Sequence, residues 1–431
     1  GYHIPIISHL SKAAHFLAEI PRNIKKIKSE KSEEVHPLKL KILEAELDES
    51  IGFSGDPLNE SMYLMLSRYH GDLKKSIVEL VDLKDFNILH KWYFKVDEFW
   101  ESLDKTKDTK WENIKEVNGV NRYRALNPVI DEFGNIITTN HYSPLLKIDM
   151  NSNLSFIKDD MSYHHSIEED HEKNYWVCVK YYPFKIDTKY VGNHYDNYRD
   201  DGIRKISARG EILYDKSISN LLIENNMDYL LFSNTDKFKY DPIHLNDIQP
   251  VLSDGKYMEK GDVFISLRNL SMIVLFRPSA NKIVWISENG NFLNQHDVDI
   301  LDSERISILD NNMRMIKNGQ KTFGYNKIII YNFRTKSYSS YLEKTLNQNN
   351  VNTDQEGVCE ILPNGDVFFE ETLNGRILYF NSDGSLRWMY VNKSDDGNVY
   401  YTSWSRILYK QKDIQKVRSF LKTKIDVSQS E

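Results

Sequence analysis

Residues Asn364 to Val391 read NGDVFFEETLNGRILYFNSDGSLRWMYV. Three turn dipeptides, Asn364-Gly365, Asn374-Gly375 and Asp383-Gly384, punctuate short runs rich in Val, Phe, Ile, Leu, Tyr and Trp. Asn-Gly and Asp-Gly supply the positive φ of tight hairpins, so the stretch reads as an antiparallel meander. Degenerate copies stand upstream. They are FGNIITTNHYSPLLKIDMNSNLSFI from Phe133, EKNYWVCVKYYPFKID from Glu172, KGDVFISLRNLSMIVLFRPSANKIVWI from Lys260 and SERISILDNN from Ser303.

The aligned strand starts fall at Asn135, Asn174, Asp262, Arg305 and Asp366, at intervals of 39, 88, 43 and 61 residues. A period of about 40–45 residues with several strands in each copy is the signature of a propeller blade. Trp285 and Trp388, near strand ends, are expected to pack one blade on the next. The five copies, plus one blade closed between the segment near Trp111 to Val120 and Tyr400 to Tyr409, predict a mainly β, six-bladed β-propeller over residues 111–431. The long interval places an insertion at about 187–240, with the loop VGNHYDNYRDDG and a helix over Ser217 to Leu231. Such a loop on a rigid scaffold is expected to form a lid or binding edge.

The front of the chain reads differently. Leu38, Leu40, Ile42, Leu43 and Leu47 recur at helical spacing. Asn59 to Leu80 and Asp85 to Leu103 are also read as helices, the first capped by Asn59 and the second with Trp92, Phe94, Phe99 and Trp100 on an apolar side. Residues 1–110 are thus expected to be a helical N-terminal region, a candidate docking or membrane-proximal segment that would meet a membrane or protein partner.

Hydrophobic residues make up 40 % and charged residues 28 %, which excludes a disordered chain. The net charge of -7, with neither sign in blocks, excludes the basic stripe that a nucleic acid requires. The sequence contains no apolar run of 18 residues. The chain opens on Gly1 rather than Met, which points to a removed upstream signal or anchor. Cys178 and Cys359 are compatible with one bridge or two buried thiols, the latter being the commoner state.

Histidines give the chemistry. His164-His165, His244 and His296 stand at equivalent places, in turns that enter a repeat just before its inner strand. Inner strands of a propeller line its channel, so histidines from separate blades are expected to converge at one mouth. A lone histidine on a strand is more often an ordinary core residue; three at matched positions point to a site.

These motifs resemble the aryl-sulfate sulfotransferase family in its shorter bacterial branch. The resemblance runs from about Asn121 to Tyr409. It rests on His244 and Asn246, on Ile265-Ser266-x-Arg268, on Gln295-His296-Asp297, on the His164-His165 pair and on the Asp310-Asn311 strand end. It implies a six-bladed propeller that moves a sulfuryl group from an aryl sulfate to a phenol, outside the cytoplasm, in the periplasm or on its membranes. The reaction would need no cofactor and no metal. His296 matches the nucleophile. His165 or its neighbour His164, together with His244, Asn246 and Arg268, match the residues that hold the sulfate and phenolic oxygens, and Gln295 belongs to the same motif.

The chemistry suits these residue types. Imidazole is a neutral nucleophile near pH 7, guanidinium offers a planar fork of donors to a sulfate ester, and an amide donates without adding charge. Asp297 is considered as an orienter of His296, against the plainer role of a strand-end residue. Asp310, Asn311 and Asn312 read as turn formers, and Tyr401, Trp404 and Arg406 as packing. Two rival readings stand beside the enzyme: a His-ligated metal centre, which Arg268 makes poor company for a cation, and a non-catalytic propeller acting as a scaffold.

Overall fold

The computed structural model describes residues 38, 51–103, 114–192, 197–232, 237–288, 290–317 and 319–430. The described residues from 51 onward belong to one compact unit. The fold is mainly β, with a propeller-like arrangement of antiparallel sheets and few helices.

The first strands are β1 (Gly52–Gly55), β2 (Tyr63–His70), β3 (Lys75–Asp82) and β4 (Ile88–Tyr93). The second to fourth form a meander within the region read from sequence as helical, and that expectation is corrected. Met62, Leu64 and Leu66 pack into one core cluster and the intervening Tyr63 and Met65 into another, and Lys74 adopts φ 50° in the turn between the second and third strands. Successive side chains thus go to opposite faces, as in a strand buried on both sides. Phe99 and Trp100 lie in short helical turns over Val96–Phe99 and Trp100–Ser102. The expected helices before residue 50 lie outside the described residues, apart from Leu38.

Next come β5 (Leu126–Ile130), β6 (Ile136–Thr139), β7 (Ser143–Ile148), β8 (Leu154–Glu169), β9 (Tyr175–Lys180), β10 (Asp201–Ile206) and β11 (Ile212–Ser217), joined in this order in one seven-stranded sheet. The 16-residue β8 pairs with β7 along its first part and with β9 along its last. The expected insertion at 187–240 carries two strands, β10 and β11, that continue the sheet. The helix expected over 217–231 is two short ones, Ile218–Glu224 and Tyr229–Phe232.

β12 (Leu245–Pro250), β13 (Val263–Leu267), β14 (Met272–Arg277) and β15 (Lys282–Ile286) form the next blade. It is followed by β16 (His296–Ile300) and β17 (Arg305–Asp310), the hairpin β18 (Met313–Ile316) and β19 (Gly319–Thr322), then β20 (Lys327–Asn332) and β21 (Ser337–Tyr341). β16, β17, β20 and β21 make one sheet, and the hairpin stands apart. The last blade is β22 (Val358–Ile361), β23 (Val367–Glu371), β24 (Arg376–Phe380) and β25 (Leu386–Val391), with β1 at its outer edge. Finally β26 (Arg406–Leu408) pairs with β2 and completes the first blade.

Four sheets therefore stand as separate blades of four or five strands, rather than six, and the fifth is the continuous seven-stranded sheet. The partner expected for the C-terminal strand near residues 111–120 is also corrected, because Ile114–Asn118 is a short helix and β2 takes that place.

Packing follows from the sequence. Strands such as β2, β13 and β23 are buried along most of their length, so both faces of a blade meet neighbours. Leu64, Leu66 and Val81 of the first blade pack with Phe368, Tyr379 and Trp388 of the last. Phe264 and Ile273 pack with Ile308 and Tyr331 in the same way. Each such side chain contributes roughly 1.5–3 kcal/mol on burial. Ile414, Val417 and Phe420, on one face of the C-terminal helix Gln411–Ser430, join the core beside Trp92. Cys178 and Cys359 are separate buried thiols. Among the described residues no helix is long and apolar enough to cross a membrane.

Candidate active site

β8 packs against β5 and β12, β12 against β16, β16 against β22, and β26 against β5. Backbone N–H groups of Trp404 and Ser405 donate to Glu370 of β23, at 2.7 Å each, tying the β26 entry to the last blade. At the entry of five of these inner strands stands one large polar or aromatic residue, Arg124, His244, His296, Glu356 and Trp404; His164 and His165, expected in a turn before a strand, instead lie inside the long β8, at the slip in its pairing with β9.

The backbone there is irregular in a repeated way. His165, His244, Glu356 and Trp404 have φ of 56°, 51°, 60° and 59°. Strand registers slip at Leu126/Val129, His164/Ile167, Leu245/Asp247 and His296/Val298. Bulges and left-handed residues re-aim a side chain at a cost of order 1–3 kcal/mol each, and they cluster at functional sites.

The histidines expected to converge do so. The His165 ring lies 5.8 Å from that of His244 and 4.6 Å from that of His141, and Trp404 touches both His165 and His296 at 5.7 and 6.3 Å. His296 is 2 % exposed. Its Nδ1 lies 2.7 Å from Asn311 Oδ1, and the Asn311 amide donates to the carbonyls of Thr353 and Glu356 at 3.0 and 2.9 Å. The amide oxygen must therefore face the ring, which puts the imidazole proton on Nδ1 and the lone pair on Nε2. The backbone N–H of Glu356 donates to that Nε2 at 3.2 Å. Burial, reinforced by the Arg268 charge, pushes His296 down to about 3, so it is neutral.

His244 donates through Nδ1 to Asp241 Oδ2 at 2.6 Å, with an Arg199 nitrogen 3.2 Å from the same atom. Burial lowers it to about 4. His164 and His165 share a contact of 2.7 Å between their Nδ1 atoms, and both are held well below the ordinary histidine value, chiefly by burial. His164 faces Asp201, at 3.6 Å, whereas His165 faces the other histidines. That assigns the inward position of the pair to His165.

Two guanidiniums serve the mouth in different ways. Arg199 is paired with Asp201 and Asp241 and stacks over the Tyr142 ring at 4.8 Å. Arg268 is 3 % exposed, donates only to the amides of Asn269 and Gln320, and keeps its buried Nε without a partner among the described residues. A buried, carboxylate-free guanidinium with an unused donor suits an anionic ligand.

Two residues expected to touch substrate make hydrogen bonds within the protein through their amide N–H groups, while Gln295 Oε1 and Asn246 Oδ1 have no partner among the described residues. Fully buried Gln295 donates to Ser266 Oγ and to the Met272 carbonyl, at 3.1 and 3.0 Å, and Asn246 donates to the Gln295 carbonyl at 2.7 Å. Asp297 does not orient His296: it accepts from the Cys359 N–H at 2.5 Å and lines a cavity with Glu168, Asp299, Glu360 and Lys410. Trp404 lines that cavity too, so it touches both the histidine cluster and an acidic chamber. Asn311 takes the orienting role instead, although its Asp-Asn-Asn context reads as a turn.

Sequence reasoning passed over His141, Arg124, Arg199 and Glu356. The usable signal was the repeat itself, because Arg124 and Glu356 precede β5 and β22 as His244 precedes β12. Among the described residues no three His, Cys, Asp or Glu side chains are grouped as metal ligands.

Residues 133–393, more than half of the chain, match the family model described as arylsulfotransferase (ASST), a span that includes His165, His244, Arg268 and His296. No curated protein matches at a significant level. Among solved structures, the chain resembles a protein of unknown function from Bacteroides caccae at 10 % identity, over 81 % of this chain and 100 % of that one, with a TM-score of 0.47. It resembles the hydrazine synthase of Kuenenia stuttgartiensis at 12 % identity over 71 % of each chain, with a TM-score of 0.39. Virginiamycin B lyase from Staphylococcus aureus matches at 11 % identity over 61 % of this chain and 69 % of that one, with a TM-score of 0.35. Structural likenesses this remote carry no argument about chemistry.

Proposed function

Because the chain belongs to the arylsulfotransferase family, we propose that it moves a sulfuryl group from a phenolic sulfate ester to a phenolic acceptor through a sulfohistidine at His296. The observation that supports this most is the pairing of Asn311 with His296 Nδ1, which puts the lone pair of a neutral imidazole on Nε2.

In the donor half-reaction Nε2 attacks sulfur, the N–S bond forms and the S–O bond breaks. Its electron pair leaves on the phenolic oxygen. Arg268 holds the sulfuryl oxygens through its planar fork, and its charge is worth most in this buried setting. His165 and His244, whose rings adjoin, face the leaving oxygen. As Nε2 gives up its lone pair, the Glu356 N–H that it accepted becomes a donor to a sulfuryl oxygen. An acceptor phenol then takes the group from His296. We place this activity outside the cytoplasm.

The test is a chromogenic aryl sulfate with a phenol acceptor, run on the wild-type chain and on His296→Ala. The expected result is acceptor-dependent chromophore release that the substitution abolishes. Full activity in His296→Ala, or no turnover by the wild type across a broad donor panel, would overturn the reading and favour a non-catalytic propeller.

A further inference from the structure

We propose that His141 is the general base of the acceptor half-reaction, oriented by Glu356, which Arg124 in turn holds in place. This rests on the sulfuryl-transfer reading above and adds a residue outside the motifs that carry it.

His141 lies in the short loop between β6 and β7. The loop is fixed by its neighbour: Asn140 donates to Asn118 Oδ1 at 2.6 Å, and its backbone N–H donates to Ser143 Oγ at 2.9 Å. The His141 side chain is 25 % exposed, unlike the buried His165 and His296, so a phenol can reach it. Its Nε2 lies 3.0 Å from Glu356 Oε1. Arg124 grips both oxygens of that carboxylate, at 2.7 and 2.9 Å. A carboxylate so held is an acceptor only, so the His141 proton sits on Nε2 and Nδ1 carries the lone pair. No protein group among the described residues bonds that Nδ1.

One residue thus spans both reacting partners: Glu356 meets His141 through its carboxylate and His296 Nε2 through its backbone N–H. The arrangement is a base with its orienting carboxylate, next to the nucleophile. His244 has a carboxylate too, but its Nδ1 lies 3.2 Å from Arg199 as well as against Asp241, whereas His141 meets Glu356 at one nitrogen and leaves the other unbonded among the described residues; burial, Arg124 and Arg199 lower His141 as well. The groups around His141 are Glu356, Arg124, Arg199, His164, His165 and Tyr142; of these, only Glu356 favours the protonated ring, and it is in direct contact.

The step balances. The acceptor O–H gives its proton to His141 Nδ1 as its oxygen bonds sulfur. The S–N bond breaks, the electron pair returns to His296 Nε2, and His141 releases the proton to water.

The experiment separates the two half-reactions. The full chain is mixed with a chromogenic aryl sulfate, the chromophore burst is recorded, and phenols of graded acidity are added. His141→Gln is expected to keep a burst of the wild-type size. It should slow transfer to weakly acidic phenols by about 10²–10⁴-fold and spare a nitrophenol that is already ionised. His141→Ala should recover part of the lost rate on addition of imidazole. Equal slowing with all acceptors, loss of the burst, or no slowing at all overturns the base role. A wild-type chain without a burst removes the sulfuryl-transfer reading and the base with it. A normal wild-type burst with an indifferent His141→Gln removes the base alone.

Discussion

Asn311 Oδ1 sits 2.7 Å from Nδ1 of His296, and both amide hydrogens of Asn311 are held by backbone carbonyls of the Thr353–Glu356 turn. The amide cannot turn over without losing two hydrogen bonds, so a side chain fifteen residues away fixes the imidazole tautomer. Asn311→Leu should lower the donor half-reaction by roughly 10²-fold or more, since an untethered ring presents the wrong nitrogen part of the time. The burst rate measures it. An unchanged rate would mean that the tautomer is set by something else.

Arg268 is the guanidinium at the mouth with no carboxylate partner. Arg268→Gln should cost about 10²–10³-fold in kcat, the loss seen when one preorganised donor to a developing charge is removed. Gln320→Ala removes only an amide that Arg268 touches and should leave kcat within a few-fold. If both substitutions behave alike, Arg268 acts through the β18–β19 hairpin and not on the substrate.

Acid should destabilise the fold through its histidines. His296 is lowered to about 3 and His244 to about 4, each chiefly by burial, and His141, His164 and His165 are lowered too. A histidine with a depressed folded pKa contributes stability that is fully present above the unfolded value of about 6.5 and is lost as pH falls through the folded value. The Tm advantage of wild type over His296→Asn should therefore shrink as pH falls from 7 to 4. A gap that stays constant with pH would show that His296 is neither buried nor neutral as described. For the same reason the donor half-reaction should be flat from pH 5 to 8.

The acidic chamber beyond Trp404 has the opposite sign. Asp299 is pushed well above the usual carboxyl range by burial and by Glu360 and Asp297, and Asp297 is pushed up likewise, by burial and by the nearby Asp247. A carboxyl raised in the folded state favours folding at low pH and opposes it once both states would ionise. Asp299→Asn should raise Tm by a few degrees at pH 8 and change it little at pH 4, which thermal melts at the two pH values resolve. A stabilisation equal at both would point to packing in place of charge.

Much of the blade architecture is legible locally. Turn dipeptides such as Asn364-Gly365 and Asp383-Gly384 set hairpins by backbone preference, and the intervening Val-Phe-Ile-Tyr runs fit buried strands on any partner. The front blade was not legible, because Met62, Leu64, Leu66 and Tyr69 also fit helical spacing, and only pairing across the hairpin with Val81, Glu79 and Ser76 makes strand residues of Leu64, Leu66 and Tyr69. The blade count failed for a related reason. β8 is a single strand long enough to pair with β7 and β9 in turn, and no residue in it announces where one pairing ends.

His244 and His296 stand out in the sequence itself, since a repeat that places similar residues at equivalent strand entries brings them to one mouth wherever the strands pack around an axis; Arg268, just past the end of β13, stands out only through the family motif, and His165 lies inside β8. What only the tertiary structure decided is how each side chain is used. The amide N–H groups of Gln295 and Asn246 donate within the protein, Asp297 turns toward Cys359, and Asn311 takes the ring of His296. Arg124 and Glu356, 232 residues apart, meet as an ion pair. Hydrogen bonds of this kind depend on the bulge at each strand entry and on groups brought from distant blades, and the local chain has no preference that encodes either.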